Sequence, residues 1–321
     1  MGLYARARNA AKRLVLGPSD VSQQCTLGLC DPQQEIVVEL HGVGAPRDVT
    51  HQHMLACAAP FAVAIAFESA VEVPADTPLS LHFRERGGSQ QLLGKLGLRL
   101  SATIPADGRN VHCFTIRNCR NYCLAVTRLW AHYLHWAWLR WRERPDVRLS
   151  ARDASAMPVF FICPRAVALV SVVAGEVGNL FPMNLMGPLG NDLFGFALNS
   201  TRAAASLVEH AGRLAVSSVP VGRAAAAREL GRNHKRKAID WNDLPFPTRP
   251  SALLGLPVPC FSERVREMQV ITTRSMGSHT LFLAKILHDE RSATGLEYFM
   301  VHGVYQAWRQ SARGSPEASR S

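Results

Sequence analysis

The chain lacks most of the features that would assign it quickly. Its eight cysteines, Cys25, Cys30, Cys57, Cys113, Cys119, Cys123, Cys163 and Cys260, form no CxxC pair. That excludes the usual zinc-ribbon and thioredoxin-like spacings. Eight cysteines in 321 residues are also too dilute for a disulfide scaffold, so free thiols in a reducing, cytoplasmic compartment are expected. His112 with Cys113, Cys119 and Cys123 matches no common zinc pattern, and His41, Asp48, His51 and His53 read as a chance loop collection. No metal is expected. There is no long apolar run: LACAAPFAVAIAF, Leu55 to Phe67, contains Pro60 and falls short of the roughly 18 residues that cross a bilayer, so no membrane span is expected. The start, MGLYARARNAAKRLVLG, lacks the apolar stretch of a secretory signal, carries Arg6 where a myristoylation motif has Ser or Thr, and matches an organelle transit peptide in composition only. Arg-Gly repeats, finger spacings and a basic stripe are missing too, which argues against nucleic acid as the partner.

What the sequence has is apolar mass and positive charge. With 47% hydrophobic and 19% charged residues it can bury a large core, and its formal net charge of +11 attracts anions. The first part reads as strands: EIVVEL, FAVAIAF, and a hairpin LGLRLSATI-PADGRN-VHCFTI turning at Asp107-Gly108. From Asn121 to Arg144 the spacing of Trp130, Leu134, Trp138 and Trp141 predicts a helix closed by Pro145, with its tryptophan face in the core or a dimer interface. The polar RPDVRLSARDASAM then suggests a boundary near residue 155. Beyond it, AVALVSVVA, LFGFAL and RLAVSSVP read as strands, and ERVREMQVITT and HTLFLAKILHD as a pair joined at Met276-Gly277-Ser278. STRAAASLVEHAG reads as a helix with Ser200 as N-cap and Gly212 as its stop. A long excursion, GRNHKRKAIDWNDLPFPTRPSALLGLPVPCF, interrupts the strands, and such loops are commonly functional. Strands with one short helix and no βαβ alternation favour a small barrel.

From about Phe160 to Trp308 the chain resembles the flavin reductase-like family of FMN-binding split β-barrels. The matching pieces are CPRAVALVSV, GNLFPMNLMG, FALNSTRAAASLVEHAGRLAVSSVP, LGLPVPCFSERVREMQVITTRSMGSHTLFLAKI and FMVHGVYQAW. The expected fold class is therefore mainly β: a split barrel with a short helix over residues 156–310, an additional β-rich and helical region of unknown role over 1–155, and a disordered tail over 311–321. The resemblance implies a homodimer with FMN near the subunit interface and flavin reduction by NAD(P)H.

The residues support a cofactor at two corners. The backbone around Phe181, Pro182, Met183, Asn184, Leu185 and Met186 would lay amide donors along a flavin ring edge and an apolar rim beside its dimethylbenzene side. Asn199, Ser200, Thr201 and Arg202 open a helix, where N–H groups, the positive dipole end and a guanidinium favour a phosphate. Gly277, Ser278 and His279 form the third element; the resemblance places a histidine such as His279 near the flavin, where it would position the nicotinamide. His302 is a weaker candidate. The expected function is an NAD(P)H:flavin oxidoreductase. The alternative is a non-catalytic flavin-binding redox sensor or a partner of an oxygenase; oxidation of a pyridoxine-type amine has no motif support.

Overall fold

The computed structural model describes residues 24–31, 34–68, 73, 77–87, 89–143 and 147–313. The basic start, Pro145 and most of the expected tail lie outside them; residues 311–313 end a helix. Strand β1 (Gln24–Leu29) precedes a sheet of β2 (Ile36–His41), β3 (Arg47–Asp48), β4 (His53–Ala58), β5 (Phe61–Glu68), β6 (Leu79–Glu85), β7 (Leu92–Ala106) and β8 (Arg109–Asn121), ordered β3-β2-β6-β7-β8-β5-β4. The β7–β8 turn has positive φ at both Asp107 (46°) and Gly108 (74°), as a two-residue hairpin requires. Helices α1 (Val126–Glu143) and α2 (Ala151–Phe160) follow, then β9 (Arg165–Ala166).

The second large sheet contains β10 (Ala168–Ala174), β11 (Val177–Met183), β12 (Met186–Pro188), β13 (Leu193–Asn199) and, after α3 (Ala203–Ala211), β14 (Arg213–Ser218). The excursion supplies α4 (Ala224–Glu229) and the short pair β15 (Thr248–Pro250) and β16 (Pro257–Pro259). The long hairpin β17 (Arg264–Ser275) and β18 (His279–Arg291) completes the sheet in the order β11-β10-β14-β17-β18-β13-β12. Strand β19 (Glu297–His302) lies between β1 and β9, and α5 (Gly303–Arg313) ends the described chain. The fold is mainly β, with sheets curled into half-barrels. Among the described residues no helix is long and apolar enough to cross a membrane.

The two sheets repeat one another ladder by ladder. In β7–β8 the register shifts at Gly97/Leu98 and Leu100/Ala102, with Ile116, Phe114 and Cys113 as partners of Leu98, Leu100 and Ala102. In β17–β18 it shifts at Glu267/Met268 and Val270/Thr272, with Ile286, Ala284 and Leu283 as partners of Met268, Val270 and Thr272. Both bulges and all three partners recur at one constant spacing along the chain. Ala62 to Glu68 lie against Thr115 to Arg109 as Leu193 to Asn199 lie against Lys285 to His279. Likewise Leu79 pairs with Leu98 and Leu214 with Met268. The N-terminal region is thus a second copy of the barrel topology, which the sequence did not display because the equivalent positions keep their burial and not their identity.

Three of the five apolar clusters among the described residues follow from this arrangement. Phe181, Phe196, Val208, Val216 and Phe282 fill the C-terminal barrel, and Val63, Phe83, Leu96 and Phe114 fill the N-terminal one with Val159 and Phe160 of α2 and Tyr305 of α5. Between the copies lies the third: Ala62, Ala66, Val111 and Cys113 meet Leu193, Ala197, Leu281 and Leu283, with Met54 inserted among them. These are the same positions of each copy, so the junction is isologous in the manner of a two-fold dimer. Burying a Leu or Met side chain stabilises by roughly 1.5–3 kcal/mol, so this face holds the halves together.

On two points the structure goes beyond the sequence reading. On α1, Trp130 and Leu134 are 64% and 69% exposed while Leu129 and His132 are buried. The inward stripe runs one residue beside Trp130, which does not enter the core of this chain; the side chains of Trp138 and Trp141 lie outside the described residues. The polar segment near residue 155 is helix α2. Ser150 Oγ accepts from the Asp153 N–H at 3.1 Å and the Asp153 carboxylate accepts from the Ser150 N–H at 3.4 Å, a capping box that starts the helix.

A Cβ on Gly195 would overlap Met54 Sδ and come within 2.7 Å of Leu189 Cδ1. Gly195→Val is therefore expected to destabilise the protein by about 1–3 kcal/mol and to lower its melting temperature by several degrees. Adding Met54→Ala should recover part of the loss, and an unchanged melting curve in Gly195→Val would show that the junction is not packed in this way.

Candidate functional site

Two of the three expected corners meet at the end of β13. Asn199 pairs with His279 across the β13–β18 ladder, and the Ser200 N–H donates to the Ser278 carbonyl at 3.2 Å. The Asn199 carboxamide oxygen accepts from the Thr201 N–H at 3.0 Å and from Thr201 Oγ1 at 2.8 Å, and the Arg202 N–H donates to the Asn199 carbonyl at 3.0 Å. This turn displaces the expected cap. Helix α3 starts at Ala203 with Arg202 in the N-cap position and no side-chain cap, not with Ser200. The reason is local: an Asn side chain that folds back on the next two residues competes with capping by its neighbour. The α3 dipole end stays without a side-chain partner, in reach of an anion.

The other corner is the end of β11. Strand alternation turns Phe181 and Met183 into the barrel, where Met186 also packs. The outward residues are Pro182 and Asn184, half-buried, with Leu185 beside them. The Asn184 amide donates to Met300 Sδ at 3.6 Å, a weak acceptor for so strong a donor, and the Leu185 carbonyl accepts from the Ala197 N–H at 2.8 Å. The apolar rim expected of this loop is thus reduced to Pro182 and Leu185, with Asn184 between them.

His234 joins the corners, and the sequence reading passed over it. It comes from the 3-10 turn Leu230–Lys235 inside the excursion. Its Nε2–H donates to the Pro182 carbonyl at 2.6 Å, and its ring lies 4.7 Å from that of Phe181. Burial holds its pKa below the ordinary range against the effect of that hydrogen bond, and the nearby Arg202 charge adds to the lowering. The only available signal was a histidine within the basic run GRNHKRK.

His279 sits at the seam between the two copies. Its Nδ1 is 2.8 Å from Ser278 Oγ and 3.9 Å from Cys57 Sγ, and burial pushes its pKa down to about 4. The ring is therefore neutral near pH 7 and acts by hydrogen bonding, not by charge. The preceding turn presses on the N-terminal copy: the Ser278 N–H donates to the Ala59 carbonyl at 2.9 Å. Gly277 has φ of 101°, and a Cβ there would fall 2.6 Å from that oxygen. The position equivalent to His279 in the other copy is Arg109, whose guanidinium packs on Gly190.

His302 has a structural place. Its Nδ1 accepts from the Val304 N–H at 3.2 Å at the start of α5, and its ring stands 5.3 Å from that of His132. The loop histidines do not assemble: His53 engages Arg165, whereas His41 stacks on His82 at 3.8 Å. His41, His82 and Glu39 form one group with metal-ligand atoms close together, but Glu39 is already paired with Arg84 at 3.0 Å. His112, Cys113, Cys119 and Cys123 are not such a group among the described residues.

These buried histidines fix an acid limit. His279 and His82 titrate near 4, His302 near 3, and His53 well below the ordinary 6.5, chiefly because burial penalises the charged ring. In this window the unfolded chain binds more protons than the folded one. Stability is complete above about pH 6.5 and falls as the pH drops toward 4. Denaturant midpoints taken from pH 7 to pH 4 should decline steadily, and His279→Gln should flatten the slope; a midpoint independent of pH would contradict the neutral, buried histidines.

Residues 160–309 match the family described as the flavin reductase like domain. No curated protein matches the chain. Solved structures that resemble it include the NADH:FAD oxidoreductase of Streptomyces globisporus C-1027, at 20% identity over 50% of this chain and 95% of that one, with a TM-score of 0.42. An FMN-binding protein from Thermus thermophilus with bound p-hydroxybenzaldehyde is 23% identical over 42% and 81% of the two chains, with a TM-score of 0.38. Nitrilotriacetate monooxygenase component B from Mycobacterium thermoresistibile is 16% identical over 47% and 83%, with a TM-score of 0.41. The match to the flavin reductase like domain covers just under half of the chain and runs from the end of α2 through β10 to β19 into α5.

Proposed function

We propose that this protein is a flavin reductase that binds FMN at the corner formed by Pro182, Asn184, Leu185, the Asn199–Arg202 turn and the Gly277–His279 turn, and that uses NAD(P)H as donor. The observation that carries the reading is the family match over residues 160–309, which covers all three segments. The donor set fits the group. Ser200, Thr201 and Arg202 gather at a helix start without a side-chain cap, and Asn184 holds its amide against a thioether alone. Bound FMN would supply a hydride acceptor. The chain's own residues would do the rest: Arg202 and the α3 dipole hold the phosphate, the Asn184 amide donates to the ring edge, and Pro182 and Leu185 keep water from it. His279, neutral and held by Ser278, would act as a positioning donor toward the nicotinamide.

The N-terminal copy changes what partnership this requires. A homodimer is what the family resemblance implies, yet the face of the C-terminal barrel that carries Leu281 and Leu283 is already covered by Val111 and Cys113 of the same chain. We infer that the first copy stands in for the second subunit and closes the site beside Cys57 and Ala59. An oxygenase or another flavin-using protein remains the partner class for reduced flavin leaving the site.

Purified protein should take up FMN and consume NADH or NADPH in the presence of excess flavin. Binding without turnover would leave the redox-sensor reading in its place. Thr201→Ala with Arg202→Ala removes charge-assisted bonds worth about 1.5–3 kcal/mol each. FMN affinity should therefore fall about tenfold per bond, with riboflavin, which has no phosphate, little changed. Equal losses for both ligands would move the phosphate elsewhere. His279→Ala should slow flavin reduction in stopped-flow measurements of FMN-loaded protein; a wild-type rate joined to a lowered melting temperature would make the residue purely structural.

A further inference from the structure

A cavity lies apart from those segments, near His53 at the start of β4, whereas Cys57 and Ala59 at the end of that strand meet the Gly277–His279 turn. It encloses about 340 Å³ and is lined by His51 and His53 of the N-terminal copy, the connector Cys163–Ala166, Met186 to Pro188, Phe194 and Phe299, and the arginines Arg165, Arg264, Arg266 and Arg291. None of the proposed flavin contacts lines it; Met186, which the sequence placed in the flavin rim, packs in the barrel and does. Its carboxylates are Asp31 and Glu297; burial raises the Glu297 pKa, and the charges of Arg266, Arg291 and Arg264 oppose that shift. Arg264 and Arg266 share Asp289, which does not line the cavity.

Arg165 carries the argument. It is only 7% exposed, and no carboxylate lies against it. One terminal nitrogen donates to the His53 carbonyl at 3.3 Å, the other to His53 Nε2, and the guanidinium stacks 4.2 Å from the centre of the Phe160 ring. His53 is held as an acceptor because its Nδ1–H donates to the Val49 carbonyl at 2.7 Å. Of its five N–H groups these bonds use two, and Nε has no hydrogen-bond partner. A buried cation with neutral partners and an unspent donor is costly unless an anion completes it.

The repeat shows that packing alone does not require such a cavity. By register, Gly94, Leu96 and Asn121 stand in the N-terminal copy where Arg264, Arg266 and Arg291 stand in the C-terminal one, and Val63 stands for Phe194. There the space is filled: Val159 and Ile162 press on Gly94, where a Cβ would lie 2.8 and 2.6 Å from their methyl carbons. Leu96, Val63 and Phe160 complete the plug. Glu35, equivalent to Arg165, is bound to Arg309 at 2.7 Å. One copy is closed and apolar, the other open and basic.

The geometry points to a binding site, separate from the flavin corner, for a small organic anion whose carboxylate or phosphate meets Arg165 and Arg291 while an aromatic body lies against Phe194, Phe299 and Met186. Its size suits such a ligand, since small-molecule sites begin near 300 Å³. Phenyl phosphate, benzoate and phenol, titrated calorimetrically into the full-length protein with and without saturating FMN, test it. One or both anions should bind saturably and phenol should not. Arg165→Gln should weaken the anion at least tenfold and Arg291→Gln several-fold, with FMN leaving the affinity unchanged; the Arg291 variant decides if Arg165→Gln does not fold. Anion binding in a protein that takes up no FMN would leave this site standing and overturn only the flavin assignment. Absence of saturable binding, affinity unaltered in Arg291→Gln, or competition with FMN would each overturn the separate site.

Discussion

The apolar seam between the two sheets is the constraint on which the rest of the structure depends. Ala62, Ala66, Val111 and Cys113 on one side and Leu193, Ala197, Leu281 and Leu283 on the other are equivalent positions of a repeated topology. Each copy therefore presents the same face, and neither half can bury that face without the other. Small residues set how close the sheets come: Gly187 and Gly195 make room for Met54, and Gly277 for the Ala59 carbonyl. The Gly277–His279 turn lies on this seam, against Ala59 and Cys57 of the other copy.

Repetition also explains why the two copies are chemically unequal. A duplicated scaffold needs only one copy to retain a working corner, and the other is free to be filled. The N-terminal copy is stiffened by α2 and α5, with Tyr305 Oη donating to Glu35 at 3.0 Å. The C-terminal copy instead carries the excursion that brings His234 to Pro182. Its loop is anchored by Glu267, which accepts from Ser251 Oγ and from the N–H groups of Leu253 and Leu254; burial opposes the ionised form and these hydrogen bonds outweigh it. His234 itself is held through its neighbour Asn233, whose amide donates to the Leu180 carbonyl at 2.8 Å and whose carbonyl accepts from the Asn179 amide at 3.0 Å.

Much of both barrels was legible because their strands are apolar runs bounded by turns that declare themselves. The hairpins at Asp107-Gly108 and Met276-Gly277-Ser278, and Gly212 at the end of α3 with φ of 65°, follow from local chemistry and were read correctly. Local chemistry does not extend to tertiary equivalence. His112 occupies the place of Phe282, and Phe114 that of Ala284, so the second copy is visible only in its pairing. Helix α2 was hidden by Pro158 and by polar residues, although Ser150 and Asp153 already spelled its cap. Ser200 lost the capping role to the Asn199 turn, and the exposed Trp130 shows that large aromatic spacing is no proof of burial. His234 was unreadable because it reaches its site through a long irregular segment.

The central claim is that one chain supplies both barrels of the flavin site. Sedimentation of FMN-loaded full-length protein, with bound flavin read by its visible absorbance across the same boundary, tests it most directly. The account predicts flavin travelling with a single 35.2 kDa chain, one flavin per chain. Flavin found only with a two-chain particle, and lost as that particle dissociates, would contradict it.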